Sequence, residues 1–330
     1  MRTQPLFLAF PFLGAGHADV VGTRRVPSLK PRLSAPGNGS AFFLCAVTAI
    51  AACWLMSGRT RAESAEPVPK YTLRYRFQPG ETIRWKVSHR NRVRTTGAGV
   101  TQTAESTSES VKVWQVSEVT RDGAATFVYS VEQVQMRQLL SGREEQRFDS
   151  ESDAEPPVGF QQVASAVGRP LSTVTLSDRG TVLKRERELP TGPTENEGDI
   201  TIPLPEEPVA VGERWSRPHE VQVRTDGGGV QTIRTRQTFT LDSVRHGVAF
   251  IRVRTAVLTP VRDPAIEAQL TQCAAKGEVR FDIDAGRVLR QQMETDKRVV
   301  GFRGEATSLH YQTRFAEELL PNTVRTARAK

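Results

Sequence analysis

From Tyr71 onward the chain alternates between apolar and polar residues. Tyr71, Leu73, Tyr75 and Phe77 are interleaved with Thr72, Arg74, Arg76 and Gln78. After Pro79 and Gly80, Ile83, Trp85 and Val87 are interleaved with Arg84, Lys86 and Ser88. A period of two puts every apolar residue of a strand on one face, which predicts antiparallel sheet with one face on a core and the other in water. The same period recurs at Phe127, Tyr129 and Val131, at Phe239 and Leu241, at Ile251 and Val253, and at Val279, Phe281 and Ile283. Turns are expected at Gly97 and Gly99, Asp122 with Gly123, Gly180, Gly227 to Gly229, His246 with Gly247, and Gly286, because glycine tolerates positive φ. The Thr and Ser stretch from Thr101 to Ser110 lies between two strand patterns and is expected to form an exposed hairpin arm.

Two segments break this period. Pro156 and Pro157 open a stretch that sets Phe160, Val163, Ala164 and Val167 on one side and ends at Gly168. Asp263 and Pro264 open another, with Ile266, Leu270, Cys273 and Ala274 on one face before Gly277. A capping acid, a proline in the first turn and apolar residues three and four apart predict a short amphipathic helix at each place, covering the apolar face of a curved sheet.

The pattern occurs twice. Val93 to Val100 reads VRTTGAGV and Val223 to Val230 reads VRTDGGGV. Upstream, Pro79, Gly80, Glu81 and Trp85 are echoed by Val211, Gly212, Glu213 and Trp215. Downstream, Asp178, Gly180, Val182, Leu183 and Lys184 are echoed by Asp284, Gly286, Val288, Leu289 and Arg290. Three collinear blocks point to an internal duplication. The expected fold class is therefore mainly β with minor α: two homologous lobes of curved antiparallel sheet, each with one short covering helix. The repeats are placed at 70–189 and 209–320. Residues 190–208, with five prolines, are a connector, and 321–330 are a disordered tail.

Ahead of the repeats, residues 1–40 form a basic region expected to be disordered, residues 41–58 a signal or transmembrane segment, and 59–69 a linker. The apolar run AFFLCAVTAIAACWLM at 41–56 comes after Arg24, Arg25, Lys30 and Arg32. Its sixteen residues fall between the roughly 7 to 15 of a signal h-region and the about 20 of a spanning helix. Three fates stay open: a retained span, cleavage near Thr60 and Ala62, or lipidation at Cys53, since Ile50, Ala51, Ala52 and Cys53 resemble a bacterial lipobox. In each case the remainder is expected in the cell envelope or periplasm. Contact with the membrane would run through 41–58 or through the lipid. The basic residues flanking the run number four before and five after, so they do not set its orientation.

Composition narrows the partners. The chain carries 45 basic and 37 acidic residues, a net charge of +8, but half of that excess lies in residues 1–56. The portion beyond residue 56 is close to neutral, which argues against a nucleic-acid partner. Of three cysteines, Cys45 and Cys53 lie in the apolar run, leaving Cys273 alone in the repeats. No disulfide can form within them, and stability has to come from a core.

Candidate chemistry is sparse. The chain holds no GxSxG, HExxH, Walker or paired CxxC motif. His89, His219, His246 and His310 are scattered singly, with His89 and His219 at comparable places in the two copies. Asp149, Glu151 and Asp153 alternate like calcium ligands but lack the glycine and the distal glutamate of a calcium loop, so a solvated acidic loop is expected. Trp85, Trp114 and Trp215 are expected as core anchors, with the lining of a ligand concavity as the alternative. No catalytic residue, cofactor or metal ligand is assigned.

The stretches YTLRYRFQPGETIRW, GEVRFDIDAGRVL and SLHYQTRFAEEL resemble an uncharacterised family of exported bacterial β-rich proteins, over roughly residues 70–320. That resemblance implies no activity. The arrangement of strands, helix and glycines is also similar to the half-barrels of periplasmic lipoprotein carriers, an analogy of architecture. The resulting expectation is a non-catalytic envelope protein with an apolar or lipid-like ligand. The alternatives are an envelope scaffold that uses outer-face Arg74, Arg76, Arg84, Arg234 and Arg236, and, third, a hydrolytic enzyme without a recognisable motif.

Overall fold

The computed structural model describes residues 68–188, 200–225 and 227–321. The expected anchor at 41–58, Cys53, the basic amino-terminal region and most of the tail lie outside them. The strands are β1 (Lys70–Tyr71), β2 (Thr82–Gly97), β3 (Val100–Val119), β4 (Ala125–Leu140) and β5 (Gln146–Asp149). A single-turn 3₁₀ segment, Val158–Phe160, leads into α1 (Gln161–Ala166), followed by β6 (Pro170–Leu176) and β7 (Val182–Arg187). The second half runs β8 (Val209–Ala210), β9 (Arg214–Arg224), β10 (Val230–Arg245), β11 (Val248–Val257) and α2 (Pro264–Gln269), which a 3₁₀ turn extends over Leu270–Cys273. It ends with β12 (Lys276–Asp282), β13 (Arg287–Val300) and β14 (Ser308–Leu319).

Twelve strands form one antiparallel sheet in the order β7, β6, β4, β3, β2, β14, β13, β12, β11, β10, β9, with β5 beside β4. The sheet is open, with β7 and β9 as its terminal strands. From β7 to β2 and from β13 to β9 the order repeats head to tail, each half with its helix between its third and fourth long strands. The halves are not separate sheets, as two lobes would imply. β14 has no counterpart among the described residues of the first half, and it pairs with β13 on one side and along its whole length with β2 on the other. Hydrogen bonds therefore run unbroken across the seam. The main core draws on both halves, with Phe127 and Leu176 from the first and Phe239 and Phe281 from the second all fully buried.

Residues 72–78 depart from expectation in an informative way. Their alternation holds, since Leu73, Tyr75 and Phe77 are buried while Arg76 and Gln78 are exposed. They do not pair with β2, however, and only Lys70 and Tyr71 belong to a ladder, with Ala210 and Val209 of β8. The segment instead crosses the sheet's apolar face. The N–H of Tyr75 donates to Asp178 O at 2.7 Å and that of Arg76 to Gly286 O at 3.0 Å. Asp178 and Gly286 sit in the two duplicated Asp-x-Gly turns, so one extended strand of chain is clasped by the same turn from each repeat. Its rings fill the space between, with Tyr75 stacked near Phe77 at 6.0 Å and edge-on to Phe281 at 5.5 Å.

Two further segments differ from the sequence reading. Of the connector, the described residues from Ile200 onward put Ile202 and Leu204 into the main core. Its backbone is held by Leu204 N donating to Arg179 O at 2.8 Å, and the phenol of Tyr75 donates to Ile202 O at 2.9 Å. The Thr101 to Ser110 arm is not free. It lies in β3, paired along its length with β2 and from Ala104 onward also with β4, because both neighbours are long enough to flank it. Only the tip around Ala98 and Gly99, both at positive φ, stands clear.

Both short helices form where expected. Asp263 caps α2 by accepting the N–H of Ala265 at 2.8 Å, with Pro264 in the first turn. Phe160, with Val163, Ala164 and Val167 partly buried beside it, packs on Val134, Met136 and Phe148. Ile266, Leu270 and Cys273 pack on Val221, Val223 and Ile233. Each helix thus sits on its own small apolar cluster, distinct from the main core.

Candidate functional site

Three features of the sheet's apolar face stand out. The first is a buried polar network at the seam. β3 presents Lys112 and Trp114 on the side where β2 presents Trp85, and β14 presents Glu317. Lys112 Nζ makes an ion pair with Glu317, and the amide of Gln291 on β13 donates to the other oxygen of the same carboxylate. Lys112, Gln291 and Glu317 are all buried. The ammonium lies 4.6 Å from the ring centre of Trp85 and 4.8 Å from that of Trp114, within cation–π range. Burying two ions costs several kcal/mol each, roughly, unless they are paired and bonded. Here the carboxylate, the amide and two indole faces supply that pairing. The Tyr129 phenol nearby is pushed far above its ordinary pKa by burial and by the negative charge of Glu317, partly offset by Arg185, so it stays protonated.

A cleft opens over this network, lined by Tyr75, Phe77, Trp85, Trp114, Arg287 and Val288 among others, and encloses about 10 Å³. That is room for one water. The indole of Trp85 donates across it to Val288 O at 3.2 Å, and Arg287 pairs with Glu81 at 2.5 Å at its mouth. Trp85 and Trp114 are therefore core anchors that also line the one-water cleft. Trp215 is only partly buried, stacks on Phe239 at 5.5 Å and donates to Pro203 O at 2.8 Å.

The second feature is a polar row farther along the seam. The register sets Ser106, Asn91, Thr313 and Thr295 side by side across β3, β2, β14 and β13. His89, two residues from Asn91, shares a hydrogen bond of 2.8 Å between its Nε2 and the hydroxyl of Thr313. Burial pushes the His89 imidazole below its ordinary pKa, so the neutral ring is favoured. The side-chain oxygens of Asn91 and Thr295 are buried and have no hydrogen-bond partner among the described residues.

The third feature is the placement of α2. The Gln269 side chain accepts the N–H of Arg224 at 2.8 Å and donates to Arg224 O at 2.7 Å, mimicking a further strand beside β9. On the opposite side Glu267 pairs with Lys297 of β13 at 3.8 Å. β9 and β13 are separated by three strands in the sheet, so α2 spans a concavity that the sheet curls to make. Cys273 is buried beneath it, and that burial pushes its thiol up to about 11.

The residues singled out from sequence do not converge. His89 lies on β2 beside the seam and His219 on β9 at the end of the sheet, with five strands between them. Asp149 accepts the N–H of Glu151 at 2.9 Å and Asp153 that of Asp149 at 2.7 Å, so these carboxylates are engaged in shaping their own loop. Among the described residues no group of three or more acids, histidines or cysteines could hold a metal ion, and no helix is long and apolar enough to cross a membrane. Lys112, Glu317 and Gln291 were invisible to motif reasoning. Their only trace is a lysine at an inward position between Val111, Val113 and Trp114, and a glutamate in the inward phase of β14.

No protein-family profile and no curated protein matches this chain. Among solved structures, one of lipovitellin described by its lipid–protein interactions is similar over 74% of this chain and 25% of its own, at 14% identity and a TM-score of 0.38. The chain spans about a quarter of that protein's length, and a likeness of this degree carries no functional argument.

Proposed function

We propose that this is a non-catalytic binding protein of the cell envelope whose curved sheet holds an apolar or lipid-like ligand beneath α2. The observation that carries the reading is the separation of apolar clusters. Ile266, Leu270 and Cys273 rest on Val221, Val223 and Ile233 and are not part of the main core. The helix can lift from that small cluster without opening the interior that holds the fold together. The cleft at the seam is too small for anything but water, so this reading places the ligand under the cover that α2 makes. Export rests on the apolar run at 41–56 and its basic lead.

Native mass spectrometry of the full chain, extracted and then freed of detergent, tests the reading. A co-purifying mass in the lipid range, lost on organic extraction, is the expected result. The bare chain mass in every preparation, with α2 unmoved by added lipid, sinks it.

A second reading, an interaction module, draws on the outer face of β10. Arg234 and Arg236 are exposed and have no ion pair among the described residues. By contrast, Arg74 bonds Pro205 O and Asp178, Arg76 bonds Asp284 O, and Arg84 grips Glu132. Those three serve the fold. Crosslinking in cells to a defined acidic protein partner would favour this second reading.

A further inference from the structure

Three hairpin tips of the sheet carry an exposed valine next to a glycine turn. Val100 follows Gly99 at the β2–β3 tip and is 61% exposed. Val230 follows Gly229 at the β9–β10 tip and is 64% exposed. Val300 precedes Gly301 at the β13–β14 tip and is 61% exposed. The first two close the duplicated octapeptides, so the repeat reproduces the apolar tip along with the turn. Antiparallel pairing places all three at one rim. Val300 pairs with Ser308, Ser308 with Thr96, and Thr96 with Thr101, which sets two of the tips level. Those two hairpins also touch, since a Cβ on Gly97 would lie 3.6 Å from the methyl of Thr307. The third points to the same rim, because Thr238 pairs with Arg254, Arg254 with Lys276 and Lys276 with Glu294, so that Val230 and Val300 both lie beyond the same ends of their strands.

Cations share these hairpins with the valines. Arg94, Arg224, Arg298 and Arg303 lie on the three tips, all exposed and none in an ion pair among the described residues. Only Asp226 and Glu305 oppose them in the same stretches. Separated apolar side chains on convex turns do not make the continuous buried patch of a protein interface, which needs a pocketed, desolvated centre. They suit a surface that accepts each side chain independently, and free guanidinium groups suit one that is negatively charged.

We infer that this rim docks on an anionic lipid surface, with Val100, Val230 and Val300 entering the interfacial layer and the four arginines resting among the headgroups. The inference does not depend on what α2 covers. Its orientation stands the strands on end against the bilayer.

Hydrogen exchange of the full chain with phosphatidylglycerol-containing vesicles, with pure phosphatidylcholine vesicles as the comparison, tests it peptide by peptide. The expected result is slowed exchange at 97–101, 227–231 and 300–305 on the anionic vesicles. That protection should weaken as salt is raised and be lost in the Val100→Asp, Val230→Asp, Val300→Asp variant. Protection confined to the apolar run at 41–56, with the three tips exchanging as in solution, overturns it. So does equal tip protection on both vesicle types, because the arginines would then have no role. The wild-type comparison decides even if the triple variant unfolds. A lipid taken up under α2 would alter exchange at 263–273 and at Arg224, whose N–H Gln269 holds, and leave 97–101 and 300–305 unchanged, which keeps the two readings distinguishable.

Discussion

Gly286 accepts the backbone N–H of Arg76 at 3.0 Å, and a Cβ placed on Gly286 would lie 2.6 Å from that same nitrogen. The glycine combines a positive φ of 61° with a close backbone approach, and either alone would disfavour a side chain. Its counterpart in the first repeat, Gly180, is similarly enclosed, since a Cβ there would lie 2.5 Å from Ile202 O.

Gly286→Ala and Gly180→Ala are each expected to destabilise by about 2–4 kcal/mol. Gly212→Ala, at φ 90° with nothing within 4 Å, should cost only about 1 kcal/mol. Urea denaturation midpoints measure the difference. Equal losses at all three sites would mean that the clasp on residues 74–76 contributes nothing.

Lys112→Met leaves Glu317 buried with only Gln291 as a partner, and a loss of about 3–5 kcal/mol is expected. Adding Glu317→Gln to that variant removes the stranded charge and should restore most of the loss. Thermal unfolding of the two variants reads this directly. A double variant no better than the single one would show that the contact of the ammonium with the Trp85 and Trp114 rings, and not the charge pair, is what Lys112 supplies.

Burial lowers the pKa of His89 in the folded chain, whereas the unfolded chain takes up its proton near the ordinary 6.5. Below that pH the unfolded state binds more protons, so this site's contribution to stability declines as pH falls through the ordinary value toward the lower folded one. His89→Gln keeps a hydrogen-bonding group beside Thr313 and removes the titration. The expected outcome is a shallower fall of the urea midpoint over that range. An unchanged slope would assign the pH dependence to other groups.

Cys273 provides a direct probe of α2. Buried, with its thiol near 11, it should resist alkylation in the native chain. Gln269→Ala removes two hydrogen bonds to the edge strand β9, and at about 1 kcal/mol net for the pair should speed alkylation of Cys273 about fivefold to tenfold through local opening. Peptide mass spectrometry separates this site from Cys45 and Cys53. A rate set by global unfolding in both proteins would show that α2 does not open separately.

Much of the fold was legible because strand period and turn glycine are local properties. The alternation at Ile83 and Trp85, the Asp263 cap and the duplicated Asp-x-Gly turns all appear at their sequence positions. Residues 72–78 were misplaced, and 101–110 form the expected hairpin arm but are more covered than expected, for one reason: period two says which side of a strand is buried and says nothing about which strand lies beside it. The seam network leaves no signature in the sequence because Lys112, Glu317 and Gln291 come from three separate strands, and none carries a motif.

The sequence alone determined the mainly β class, the internal repeat, the two covering helices and the basic-led apolar run, since each depends on residues within a few positions of one another or on direct self-similarity. Tertiary structure decided that the two repeats share one sheet. That outcome rests on β14, whose backbone groups could have closed on either half alone and instead pair with β13 and β2 together. It also decided that the clasped segment at 72–78 fills the core between the repeats. Pairing partners are chosen by the burial each arrangement achieves across the whole chain, and that sum is not written in any local stretch.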